Sequence, residues 1–239
     1  MIDNNTIGSK LAQLITVLTE PGRVFDDLKQ RPGGWLPAVL TLVGTLALAF
    51  LFFQKVDAAW MVDQIVAAKH LPADQQDAVR HVLSGRTLQA MSVGSVVVIV
   101  PATFVLMALY WWLAGKVMGG GGGVRRFGEW FAFYSWSSVP ALLSLVIGLI
   151  ATATMQPQTL FESVKLTHVD PIFVHLALDN PWHSLAASFD LLMFWTITLT
   201  TIGWQRWTGQ GVGRAVFVSV LPYALLYGTW ALIVALSQH

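Results

Sequence analysis

The sequence predicts an all-α, polytopic membrane protein with five transmembrane helices, short amphipathic helices at the N-terminus and a helical outer loop. Three observations carry this expectation. Of 239 residues, 55% are hydrophobic and only 11% are charged, whereas a water-soluble domain carries about a quarter charged residues to wet its surface. Five apolar stretches each run for about 20 residues or more, the length needed to cross a hydrocarbon core about 30 Å thick. Trp, present 11 times, recurs near the ends of those stretches, where indoles favour the headgroup level.

The spans are read at about 35–54, 88–115, 130–155, 184–204 and 215–236. The fourth is the weakest, because Asp190 lies inside its first turns. Trp35, Trp111, Trp112, Trp130, Trp182, Trp204 and Trp207 lie near span ends and are read as interfacial indoles. Short inner loops of membrane proteins are enriched in Lys and Arg. With the N-terminus inside, the inner segments hold Lys10, Arg23, Lys29, Arg31, Lys116, Arg125, Arg126, Arg206 and Arg214, nine in all. The outer segments hold five: Lys55, Lys69, Arg80, Arg86 and Lys165. The expected location is therefore the cell inner (plasma) membrane, multi-pass, with the N-terminus cytoplasmic and the C-terminus outside. All six His, namely His70, His81, His168, His175, His183 and His239, then fall on the outer side.

Residues 1–34 read as a cytoplasmic amphipathic segment ahead of a membrane domain at 35–239. No secretory signal is recognised, because the short apolar run after Lys10 is broken by Gln13 and Thr16 and no small-x-small site comes after it. Leu11, Leu14, Ile15 and Leu18 share one helical face, suited to packing on the body of the protein or to lying in the headgroup plane. Pro21 opens a second short helix with Val24, Phe25 and Leu28 on its apolar side, ended by Pro32, Gly33 and Gly34. In the outer loop from Gln54 to Thr87 the spacing predicts a helical hairpin, its second helix starting after Pro72 with Asp74 and Asp77 near its N-terminus. Gly119–Gly123 is a flexible turn rather than a phosphate cradle, since Lys116 precedes the glycines instead of coming after them.

Several function classes are excluded or disfavoured. A net charge of +1 offers no basic face for nucleic acid. The absence of Cys removes disulfides, thiolate metal sites and a Cys nucleophile. No Ser, His and Asp set is placed by a recognisable motif, so no enzyme activity, catalytic residue or cofactor is expected.

Three stretches resemble the Yip family, five-span proteins named for interaction with Ypt/Rab GTPases. They are Pro21-Gly-Arg-Val-Phe25 through Trp35-Leu-Pro37, the aromatic approach Phe127 to Leu143, and Trp204 to Pro222. Leu71-Pro-Ala-Asp-Gln-Gln76 looks like the bacterial branch. The resemblance implies five spans, an inner N-terminus and association with other membrane proteins. Eukaryotic members act in vesicle trafficking and carry a long cytosolic N-terminal region. This chain has about thirty residues before its first span and lacks the Asp-Leu-x-Gly-Pro signature, so the Rab-binding role is not carried over.

Ionisable residues within spans mark function, and apart from Asp190 the spans have almost none. Pro101, Ser137, Ser138, Pro140, Asp190, Pro222 and Tyr223 are the candidates to line a polar path, with close helix packing as the plainer role. His168, Asp170, His175 and His183 are candidate metal ligands, though their spacing matches no compact motif and a solvated loop is the simpler reading. The function expected is that of a non-enzymatic membrane protein, embedded in the lipid bilayer, that binds a membrane-protein partner or forms a homo-oligomer. The alternative is a transporter or channel for a small solute or lipid.

Overall fold

The structure, a computed structural model, describes residues 4–123 and 125–238, so His239 lies outside it. Eleven α-helices occur among the described residues. They are α1 (Asn4–Thr19), α2 (Pro21–Gln30), α3 (Trp35–Lys55), α4 (Ala58–Ala68), α5 (Ala73–Val82), α6 (Gly85–Met118), α7 (Phe127–Ser137), α8 (Pro140–Thr154), α9 (His183–Ser188), α10 (Met193–Thr208) and α11 (Val212–Leu236). Helices α3, α6 and α11 are long and apolar enough to cross a membrane, and α7 with α8 adds a fourth if that bent pair is one span.

Two expected spans differ from what is observed. The stretch read as 130–155 is two helices that meet at 46°. Pro140 has no N–H to continue the ladder, and its ring disfavours helical geometry at the residue before it. The helix expected over 184–204 is split: α9 ends at Ser188 and α10 starts at Met193. The residues between them leave helical geometry, where Asp190 pairs with His168 in an isolated antiparallel bridge.

The chain divides into two compact units, and α3, α6, α8 and α11 contribute residues to both. One comprises Met1–Thr41, Val100–Leu143 and Leu192–Gly228. Its core gathers Val17, Val24, Phe25, Leu28, Trp111, Trp130, Phe133, Trp204 and Trp207. The expected apolar side of α2 is thus buried. On α1 the packed residues are Val17, Leu14 and Leu18, whereas Leu11 and Ile15 stay exposed. The glycine run forms a short 3-10 turn, Gly120–Gly123, with Gly120 at φ +60.

The second unit comprises Leu42–Ile99, Ser144–Leu191 and Thr229–His239. Its small core packs Phe52, Val56 and Val164, with the rings of Phe52 and Phe161 5.0 Å apart. Asp57 caps α4 by accepting from the N–H groups of Ala59 and Trp60, the standard role of Asp at that position. The expected hairpin is present as α4 and α5, joined by an Arg80–Asp63 ion pair of 3.1 Å.

Gly34 shows how tightly the first unit is packed. A Cβ there would lie 2.9 Å from the Ala132 backbone nitrogen and closer still to its Cα, and backbone cannot yield as a flexible side chain does. Gly34→Ala is expected to lower stability by about 2 kcal/mol, the usual cost of overpacking. Gly128→Ala, with nothing within 4 Å, should change it little. Thermal unfolding of the two variants in one detergent checks the contrast.

Candidate functional site

Two groups of side chains stand out, one in each unit. In the first, six aromatic rings form a continuous cluster. Phe133 lies 5.3 Å from Phe25, 4.9 Å from Trp111, 5.2 Å from Trp130 and 5.1 Å from Trp207. Trp204 closes it at 5.7 Å from Trp111 and 5.6 Å from Trp130. Such ring pairs are worth about 0.5–1.5 kcal/mol each beyond their area.

Helix α2 is fastened to this cluster by polar contacts. Trp207 Nε1 donates to the Phe25 carbonyl at 2.8 Å, Arg206 pairs with Asp26 at 2.9 Å, and Lys29 Nζ donates to the Arg206 carbonyl at 3.3 Å. The turn into α3 is held similarly: Trp136 Nε1 donates to the Gly33 carbonyl at 2.7 Å and Ser135 Oγ to that of Gly34. Arg125 pairs with Glu129 at 2.9 Å and lies 4.7 Å over the Trp207 ring. Four indoles read as interfacial are therefore core residues: Trp111, Trp130, Trp204 and Trp207 are all at most 1% exposed. Trp35 remains outward at 73%, and Trp112 is half-buried with Lys116 above its ring.

Of the candidates for a polar path, Ser137 and Ser138 are used within their own helix. Ser137 Oγ donates to the Phe133 carbonyl at 2.8 Å and Ser138 Oγ to that of Ser135 at 2.9 Å. Pro140 is buried at the start of α8, whereas Pro101 is exposed inside α6. Pro222, inside α11, cannot bond the carbonyl four residues earlier, that of Val218. Tyr110 repairs this by donating its hydroxyl to Val218 O. Tyr223 is half-buried. Sequence reasoning missed the role of Tyr110, although an unpaired carbonyl before a proline was the available signal.

The second group lies outside the spans. Backbone bonds from Val169 N to Phe189 O at 2.9 Å and from Leu191 N to Thr167 O at 3.0 Å set His168 opposite Asp190. Thr167 Oγ1 touches His168 Nδ1 at 3.3 Å and Ser144 Oγ at 2.5 Å. Burial pushes the His168 imidazole below its ordinary value of 6.5; Asp190 opposes that shift and Lys165 adds to it. Burial also lowers the Lys165 ammonium, against the raising fields of Glu162 and Asp190. The four candidate ligands do not converge. Asp170 Oδ1 accepts from Leu176 N at 2.9 Å, His175 is left-handed at φ 54, and His183 is buried at the start of α9. Among the described residues no group of three or more His, Asp or Glu is placed to hold a metal ion.

Across most of its length the chain matches a family model, that of the Yip1 domain, over residues 15–233. The chain belongs to the Yip1 domain family. A curated relative, membrane protein YknW of Bacillus subtilis (strain 168), is 22% identical over 225 residues, covering 94% of this chain and 89% of the relative. No solved structure matches. The matched region of the Yip1 domain includes α2, both groups of side chains, the whole of α3 and α6, and all of α11 but its last three residues.

Tyr110→Phe leaves Val218 O without its side-chain donor and should destabilise by about 1–3 kcal/mol, read as a lower unfolding temperature in detergent. His168 should titrate below the ordinary imidazole value of 6.5 when monitored by NMR. Its folded value is depressed, so the unfolded chain binds the proton more readily and stability falls as pH drops below about 6.5. His168→Gln should flatten that acid-side loss.

Proposed function

We propose that this Yip1-family chain is a five-span protein of the cell inner membrane that acts without catalysis, by binding a membrane-protein partner or a second copy of itself. The crossing this proposal adds, fourth in chain order, is α10, whose 16 residues rise about 24 Å. Tilt or local thinning of the bilayer accommodates such a short span. The N-terminus is then cytoplasmic and the C-terminus outside, in keeping with the Lys and Arg bias.

One observation carries the partner-binding reading. The apolar windows of α6 and α11 are each only 11% buried, so these helices have large faces free for lipid or for another helix. Val97, Val98, Ile99 and Leu106 on α6 are all more than half exposed. Gly94 on α6 and Gly228 on α11 have nothing within 4 Å of a Cβ position, and small residues allow a second helix to approach closely. The hydroxyls that a conduction path would need are instead committed to backbone carbonyls at Ser137 and Ser138.

Crosslinking in native membranes with a tagged copy tests this. A defined partner, or a self-crosslink through α6 or α11, is the expected product. Its yield should fall several-fold in Gly94→Leu or Gly228→Leu without loss of the folded protein. Recovery of neither product overturns the proposal and directs attention to flux measurements.

A further inference from the structure

A groove of about 470 Å³ opens beside the starts of α3 and α7, lined by Trp35, Val105, Arg126, Phe127, Glu129 and Phe131 among others. Its volume falls within the usual range of small-ligand sites, about 300–1,000 Å³. One wall is apolar and faces outward: Trp35 is 73% exposed, Val105 49% and Phe127 37%. Phe131 supports it from behind, with its ring 5.0 Å from Trp35 and 6.2 Å from Phe104.

The charged residues at the groove differ in what they already hold. Glu129 is committed, with Oε1 taken by Arg125 at 2.9 Å and Oε2 by the Arg126 backbone N–H at 2.7 Å. Arg125 is spent on that pair and on the Trp207 ring. The Arg126 side chain, by contrast, is exposed and makes no ion pair among the described residues. The groove thus ends in one uncompensated cation, while its carboxylate is neutralised from within. Helix α3 is a candidate span beginning at Trp35, and the α7–α8 pair begins at Phe127. Both starts belong at headgroup depth, so the cation sits at the polar boundary and the apolar wall runs towards hydrocarbon.

We propose that this groove binds an anionic phospholipid, with its phosphate on Arg126 and the upper part of an acyl chain along Trp35, Val105 and Phe131. A soluble anion would gain nothing from the apolar wall, and a zwitterionic lipid would bring a quaternary ammonium of its own beside the Arg126 cation. The occupant that matches both parts is an amphiphile carrying negative charge. The inference stands apart from any protein partner.

The test uses the full chain, purified in a mild detergent and exchanged with mixed vesicles of phosphatidylglycerol and phosphatidylcholine with identical acyl chains. Native mass spectrometry then counts retained lipid. Phosphatidylglycerol should be retained over phosphatidylcholine by about five-fold, the advantage one interfacial cation confers. Arg126→Gln should bring that ratio near unity and Arg126→Lys should keep most of it. Val105→Trp, which fills the groove and leaves the charge, should reduce retention of both lipids. Equal retention by the unaltered protein, or a ratio indifferent to Arg126→Gln and Val105→Trp, overturns the proposal. So does a photoreactive group at Phe127 that labels protein, a second copy included, instead of lipid. Failure of Arg126→Gln to fold leaves the Lys and Val105→Trp arms to decide.

Discussion

The bond from the Trp207 indole to the Phe25 carbonyl ties together residues 182 positions apart in a setting where burial alone does little. Between helices surrounded by lipid tails, apolar contact displaces no water, so close packing and hydrogen bonds must hold the arrangement. The apolar side of helix α2, Val24, Phe25 and Leu28, does not by itself fix the helix's position or rotation, because apolar contact is non-directional. The Trp207 donor, the Arg206–Asp26 pair and the Lys29 contact give that helix one position and one rotation. Once Phe25 is placed, its ring meets Phe133. The close approach at Gly203, where a Cβ would lie 2.6 Å from the Phe133 ring, then leaves no room for a larger residue.

Proline acts differently at three positions, and the accounting of carbonyls explains why. Each proline withholds an N–H from the carbonyl four residues before it. At Pro222 that carbonyl, on Val218, accepts from Tyr110, and α11 continues. At Pro140 the carbonyl concerned is that of Trp136, which accepts from the backbone of Ser138 and Val139 in a tightened turn. The helix therefore ends there and restarts as α8. Pro101 remains inside α6. At Pro222 and Pro140 the outcome thus follows which donor reaches the abandoned carbonyl.

Much of the fold could be read from composition and periodicity. The ends of α3, α6 and α11 fall within three residues of the expected limits, because charge-free length is a direct consequence of bilayer thickness. The buried side of α2 was equally legible, since Val24, Phe25 and Leu28 share one helical face. The core indoles were not. Trp111, Trp130, Trp204 and Trp207 stand near span ends, and local sequence cannot tell an indole facing headgroups from one facing other indoles. That difference depends on pairings such as Trp130 with Trp204, whose partners lie far apart in the chain. The bridge between His168 and Asp190 was hidden for the same reason. A single Asp inside an apolar stretch reads as a polar residue within one span, whereas here it lies in the break between α9 and α10.

Val105 belongs both to the wall of the groove and to the exposed face of α6. A helix packed closely over that part of α6 would cover the apolar wall on which an acyl chain would lie. A lipid held there by Arg126 would in turn occupy surface that a partner must clear. Two ligands that share a wall exclude one another, and the coupling is reciprocal: whatever weakens partner binding in the presence of lipid weakens lipid binding by the same factor. A chain with few ionisable groups in its spans has few means of answering its surroundings through charge. If the lipid and the partner both bind as proposed, competition at Val105 would give it one that depends on the composition of the leaflet, with Arg126 as the group that senses it.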